Sequence, residues 1–190
     1  MTSSRRPLLT IALLAACTGG GASVASSEPP PAVKVYQGQD SAITEGDVTI
    51  PGDPATLYAT VLDYKRWPDL FANIAKVEVT SQQGVDAMVT LIAPDGHRDN
   101  VHFHNQPQAR MIWFEDTHGR ADVWVETMFV PGDQPGTTRV HTRLYAEVKG
   151  VASLVVSDSQ VKNMRQARVM ADLAHLRTFF LTRSTANAAR

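Results

Sequence analysis

Asp53-Pro54-Ala55-Thr56-Leu57-Tyr58, followed by Asp63-Tyr64-Lys65-Arg66-Trp67-Pro68-Asp69-Leu70-Phe71, is the stretch that decides the fold. Asp53 offers a carboxylate to the free backbone N–H groups of a helix start. Pro54 suits the first helical position, because the N–H it lacks has no partner there and its φ is already helical. Leu57, Tyr58, Val61 and Leu62 give that helix one apolar side. Pro68 breaks it, so Trp67 to Ala75 reads as a second short helix.

On either side of this pair the pattern changes. Ser41 to Ile50 reads as a strand turned by Pro51-Gly52. After Ala75 the apolar period is two. Val77 and Val79 alternate with Lys76, Glu78 and Thr80, and Val89 and Leu91 continue the pattern. Val101 and Phe103 alternate with His102 and His104, and Arg110 to Asp116 is a further strand. Val123, Val125, Thr127 and Phe129, then Val140, Thr142, Leu144, Ala146 and Val148, line one side of the last two strands. Gly84, Asp95-Gly96, Pro107, Gly119 and Pro131-Gly132 punctuate the runs, as hairpin turns require. The result is an antiparallel meander with one apolar and one polar face. Ser157 and Gln160 can form a capping box, and no Gly or Pro interrupts the helical spacing from there to about Arg183.

This order of strand, two short helices, meander and long terminal helix resembles the helix-grip fold of the START-like, or SRPBCC, superfamily. Asp53 to Tyr58 and Asp63 to Phe71 look like its first helix and the start of its second. Val77-Glu78-Val79 stands where the next strand should begin, and Gly136-Thr137-Thr138-Arg139-Val140 matches the start of its last strand. The match spans Ile43 to Phe180, and the polyketide cyclase/dehydrase-like and coenzyme-Q-binding-like branches are the nearest. The resemblance implies an α+β fold in which a long C-terminal helix covers a curved antiparallel sheet of six to seven strands around a deep apolar cavity. Members bind lipids, sterols, quinones, polyketides or other hydrophobic molecules, and a minority are enzymes. The fold alone therefore does not settle the function.

The N-terminus reads as an address. Arg5 and Arg6 precede an apolar run from Leu8 to Ala16, which has the length of a secretory signal and is too short to span a bilayer. Leu14-Ala15-Ala16-Cys17 resembles a bacterial lipobox, in which the cysteine is lipidated and becomes the mature N-terminus. Thr18 in place of Asp favours the outer membrane over inner-membrane retention. The expected organisation is signal peptide 1–16, lipid-anchored flexible tether 17–34, START-like domain 35–183 and disordered tail 184–190. Localisation is then the bacterial cell envelope, facing the periplasm.

Composition narrows the chemistry. The chain has 190 residues, 43% hydrophobic and 19% charged, with net charge −1. Nothing in that balance points to nucleic acid. One cysteine excludes an internal disulfide and multi-cysteine metal sites. No GxSxG, HExxH, phosphate-loop or dinucleotide motif appears, and no catalytic set or cofactor is expected.

Candidate ligand-binding residues are Trp67, Phe71, Phe103, Trp113 and Phe129 as aromatic lining, and Arg110 at the mouth of the pocket. Ala167, Ala171 and Ala174 are candidates as a small-residue stripe facing the sheet. His102 and His104 project from one strand face but alternate with the inward Val101 and Phe103, so a metal site is not expected. Arg139, His141, Arg143, Glu147 and Glu126 form a polar sheet face open to a protein partner. The expected function is binding or carriage of a hydrophobic small molecule. A cyclase/dehydratase-like enzyme and an envelope interaction module are the alternatives.

Overall fold

In the structure Asp53 caps helix α1 (Pro54–Leu62), its Oδ2 accepting from the Thr56 backbone N–H at 2.9 Å. Leu57, Tyr58 and Val61 are the buried side of α1. A single 3-10 turn at Tyr64–Arg66 leads into α2 (Trp67–Leu70), which is shorter than the expected run to Ala75. The Trp67 indole N–H donates to the Val61 carbonyl at 2.8 Å, folding α2 back on α1, and Phe71 then takes up extended backbone. The computed structural model describes residues 33–116, 121–149 and 156–188, with side chains as far as Arg183. All of these lie in the unit that runs from Pro31 to Arg190.

One antiparallel sheet carries the rest. Its strands are β1 (Lys34–Gln37), β2 (Ile43–Pro51), β3 (Lys76–Gln83), β4 (Asp86–Ile92), β5 (Arg98–Gln106), β6 (Met111–Asp116), β7 (Ala121–Pro131) and β8 (Thr137–Val148). The spatial order is β1-β2-β8-β7-β6-β5-β4-β3. β2 pairs with the last strand, from Ile43↔Tyr145 to Pro51↔Thr137, so an early strand of the chain and its final strand are neighbours. There are eight strands rather than six to seven. The added one is β1, whose four residues are too few for an alternation to be read; it pairs with β2 from Lys34↔Asp47 to Gln37↔Thr44. No described helix is long and apolar enough to cross a membrane.

Helix α3 (Asp158–Ala188) lies on one face of this sheet. Ser157 and Gln160 make the reciprocal capping box: the Ser157 N–H donates to Gln160 Oε1 at 2.8 Å, and the Gln160 N–H to Ser157 Oγ at 3.3 Å. The buried side of α3 is Val161, Arg165, Val169, Leu173, Leu176 and Phe180. Ala167, Ala171 and Ala174 are exposed, which corrects their expected place against the sheet. Branched and aromatic side chains remove more apolar surface from water than alanine does, so they set the rotation of the helix. Close approach is supplied by the sheet instead. A Cβ on Gly46 would stand 2.5 Å from Val169 Cγ1 and 2.9 Å from Leu173 Cδ1. Ile50, Leu70, Phe103, Phe129 and Val140 are fully buried at the centre of the core.

Candidate functional site

Strand parity brings Ile112 and Phe114 of β6, Val125, Thr127 and Phe129 of β7 and Thr142 of β8 to the face under α3. Val61 of α1, Trp67 of α2 and Phe71 just beyond it close one side, and Arg168, Asp172, Leu173 and Leu176 of α3 close the other. The cavity between them has a volume of about 50 Å³. That is room for about a water molecule, since one occupies about 30 Å³ in the liquid. Aromatic rings fill the rest. Trp67 lies 4.8 Å from Phe71 and 5.0 Å from Phe103 between ring centroids, and Phe103 lies 5.0 Å from Phe114.

Two polar features interrupt the apolar wall. On the sheet, Thr127 Oγ1 and Thr142 Oγ1 share a hydrogen bond of 3.1 Å. On the helix, Arg168 Nε donates to Asp172 Oδ2 at 2.5 Å, one turn apart. The Asn73 carbonyl oxygen, turned toward the guanidinium as its hydrogen bonds require, accepts from Arg168 Nη2 at 2.8 Å and Nη1 at 2.5 Å. The Arg168 side chain is 41% exposed and that of Asp172 is 24% exposed, so the pair stands at the mouth rather than in the depth. Burial raises the Asp172 pKa above the ordinary value of 3.8, with Arg168 and His175 opposing it. A carboxyl group perturbed in this way beside a cavity is a recurrent mark of a functional site. Asp172 is the only carboxyl group among the described lining residues.

The expected site residues fall into separate places. Trp67, Phe71 and Phe129 line the cavity. Phe103 is fully buried behind it, in ring contact with Trp67 and Phe114. Trp113 has the opposite parity to Ile112 and Phe114 and sits on the outer face, 6.5 Å from the His104 ring. Arg110 is in the left-handed region, φ 47°, and its Nε donates to the Phe129 carbonyl at 3.2 Å, which ties it to β7. Ala167, Ala171 and Ala174 face away from the sheet. Cys17, the signal peptide and all but the last residues of the tether lie outside the described residues.

Arg168 and Asp172 were not among the candidates. Four residues apart, they read in sequence as a solvated helix pair. Only the rotation of α3 reveals that they border the apolar face. Arg165 was missed for the same reason. It is 6% exposed and donates to Ser41 O, Ala146 O and Thr44 Oγ1, at 2.7, 2.9 and 3.3 Å. It pins α3 to the ends of β2 and β8.

The outer face carries its own charge network. Arg139 Nε donates to Asp47 Oδ1 at 2.7 Å, and His141 Nδ1 lies 3.1 Å from the same oxygen. Arg143 lies 3.5 Å from Glu126 and 5.6 Å from the Trp124 ring centre, and Trp124 stacks on Tyr145. Tyr145 donates to Glu147, which pushes the phenol pKa up to about 12. His102 and His104 share Asp86, at 3.5 and 2.5 Å. Among the described residues no group of three or more His, Cys, Asp or Glu is placed to hold a metal ion.

No family model matches the sequence, and no curated protein matches it. Solved structures are similar in fold. A protein from Thermus thermophilus is 18% identical with a TM-score of 0.64, covering 75% of this chain and 99% of that one. The Zhui aromatase/cyclase from Streptomyces sp. R1128 is 14% identical with a TM-score of 0.61, covering 77% and 94%. A START superfamily protein from Mycobacterium smegmatis is 18% identical with a TM-score of 0.60, covering 76% and 98%. At these identities the likeness establishes the architecture, which is the helix-grip fold.

Proposed function

We propose that this helix-grip chain is a lipid-anchored protein of the bacterial envelope that binds or carries a hydrophobic small molecule between its sheet and α3. One observation carries the reading: the charged pair Arg168–Asp172 at the mouth of a cleft whose other walls are almost wholly apolar. An apolar pocket with a few convergent polar groups is the usual form of a small-molecule site. Burial of the ligand's apolar body would drive binding by about 0.8 kcal/mol per methylene, while the pair orients its polar end. The anchor rests on Cys17 and the preceding Leu14-Ala15-Ala16. The likeness in fold to a START superfamily protein and an aromatase/cyclase is consistent with a small-molecule role. A cyclase/dehydratase-like reaction is less well supported, because among the described residues a single carboxyl group borders the cleft.

The small cavity volume, about 50 Å³, favours a second reading as an interaction module with a filled interior. Native mass spectrometry of the full chain extracted from its host's membranes, with identification of any released organic molecule, separates the two. We expect one bound lipid, quinone or similar molecule per chain, and an N-terminal acyl mass on Cys17. A bare protein mass, with no thermal stabilisation by a panel of lipids and quinones, would overturn the carrier reading and leave the interaction module.

A further inference from the structure

The charges at the mouth of the cleft already cancel. Arg168 gives its Nε–H to Asp172 Oδ2, and its Nη1 and Nη2 each give one N–H to the Asn73 carbonyl oxygen. Three of its five donors are therefore engaged by described residues, and two have no partner among them. Among the described residues, Asp172 accepts a hydrogen bond through Oδ2 alone. No described residue donates to its Oδ1, and Asp172 lines the cavity. What the rim offers is thus one open carboxylate acceptor beside two spare N–H donors. The other polar side-chain groups in the described lining are the neutral hydroxyls of Thr127 and Thr142 and the indole N–H of Trp67, which already donates to the Val61 carbonyl.

A ligand carboxylate brought to this rim would put a second anion against Asp172 in a wall that already disfavours negative charge. Burial holds the Asp172 carboxyl above its ordinary pKa in spite of Arg168. A ligand ammonium would lose its hydration next to the guanidinium of Arg168. A neutral hydroxyl has neither cost. Its O–H donates to Asp172 Oδ1, and its oxygen accepts from a spare Arg168 N–H.

Resting on the ligand-binding reading above, we infer that the cleft selects an electrically neutral, apolar ligand that carries a hydroxyl group, held by Asp172 and Arg168 at the mouth. Ionised carboxylic acids and amines of the same apolar body are discriminated against.

The test uses four probes with one naphthalene body: 2-methylnaphthalene, 2-naphthalenemethanol, 2-naphthoate and 2-naphthylmethylammonium. Their affinities for the full chain are read by titration of tryptophan fluorescence at neutral pH. We expect the alcohol to bind about tenfold more tightly than the methyl compound, the effect of one hydrogen bond, and both ions to bind more weakly than the methyl compound. If either ion binds as tightly as the alcohol, or the alcohol shows no advantage, the inference fails while the ligand-binding reading stands. If no probe binds and the extracted protein carries no organic molecule, the ligand-binding reading fails and the inference with it.

Two variants locate the effect. Asp172→Leu is expected to abolish the advantage of the alcohol over 2-methylnaphthalene. Asp172→Asn, which preserves size and an acceptor oxygen, is expected to keep the alcohol's advantage and to relieve the discrimination against 2-naphthoate. An alcohol advantage that survives in the Leu variant, or a discrimination against 2-naphthoate that is undiminished in the Asn variant, would overturn the inference, and the Asn variant answers if the Leu variant does not fold.

Discussion

Two aspartates that burial alone would push up end with pKa values shifted in opposite directions. Burial alone would raise Asp47, but hydrogen bonds from Arg139, Tyr36 and His141 hold its pKa below the ordinary value of 3.8. The Tyr36 phenol that donates to it is pushed up to about 12, by burial first and then by that bond. A depressed carboxylate stabilises the fold above its unfolded pKa, and the contribution is lost as pH falls through the folded value. Asp172 has the reverse sign: its contribution is fully present below the ordinary value and is lost as pH rises through the folded one. For Asp47 the consequence is measurable. Asp47→Asn is expected to cost about 2 kcal/mol at neutral pH, the scale of a charge-assisted hydrogen bond. The cost should shrink as pH is lowered below 3.8. Urea unfolding of wild type and variant at a series of pH values checks this, and a cost that does not vary with pH would show that the carboxylate charge plays no part.

At the scale of elements, the seating of α3 depends on a gap in the sheet rather than on small residues in the helix. Gly46 faces the helix between Thr44 and Val48, and the atoms a methyl group there would meet belong to Val169 and Leu173. Both side chains are nearly fully buried, so neither has free space to turn into. Gly46→Ala is therefore expected to force α3 outward at a cost of roughly 1–3 kcal/mol, the usual penalty for overpacking. Thermal unfolding measures it; an unchanged melting temperature would mean that the helix is not held at this distance. Arg165 works in the other direction. Its three hydrogen bonds draw α3 onto the ends of β2 and β8 close to the capping box, so the N-terminal part of the helix has little freedom to lift. Any widening of the cleft falls to the segment around Phe71 and Asn73 and to the later turns of the helix.

At the scale of the molecule, a cavity of about 50 Å³ is far below the roughly 300–1,000 Å³ of ordinary small-molecule sites. Binding a molecule of naphthalene size requires the interior to open, and Phe71 is a half-buried lining ring beside the Arg168–Asn73 contact. Phe71→Ala should enlarge the cleft, cost roughly 2 kcal/mol because the ring is only half-buried, and tighten binding of 2-methylnaphthalene. Chemical unfolding and the fluorescence titration read the two effects. Weaker binding in the variant would mean that Phe71 holds the ligand rather than filling its place.

Much of the architecture is written locally. The Asp53 cap, Pro54 at the helix start and the Ser157–Gln160 box each act within a turn of chain, so their residues announce the helices they begin. Period-two alternation identifies the inward sides of β5, β7 and β8, because a strand's side chains must choose one face or the other. Strand β1 escapes notice because four residues carry too little pattern. The parity of β6 escapes for a different reason. The left-handed turn at Arg110 separates it from β5, and alternation cannot be carried through such a turn, so Trp113, expected in the lining, lies on the outer face. The site depends still more on tertiary structure. Ala167, Ala171 and Ala174 form as regular a stripe as the residues that are buried, and the choice between them rests on the competition for the space above Gly46. That competition sets the rotation of α3, and the rotation brings Arg168 and Asp172, an ordinary charge pair along the chain, to the edge of an apolar cleft.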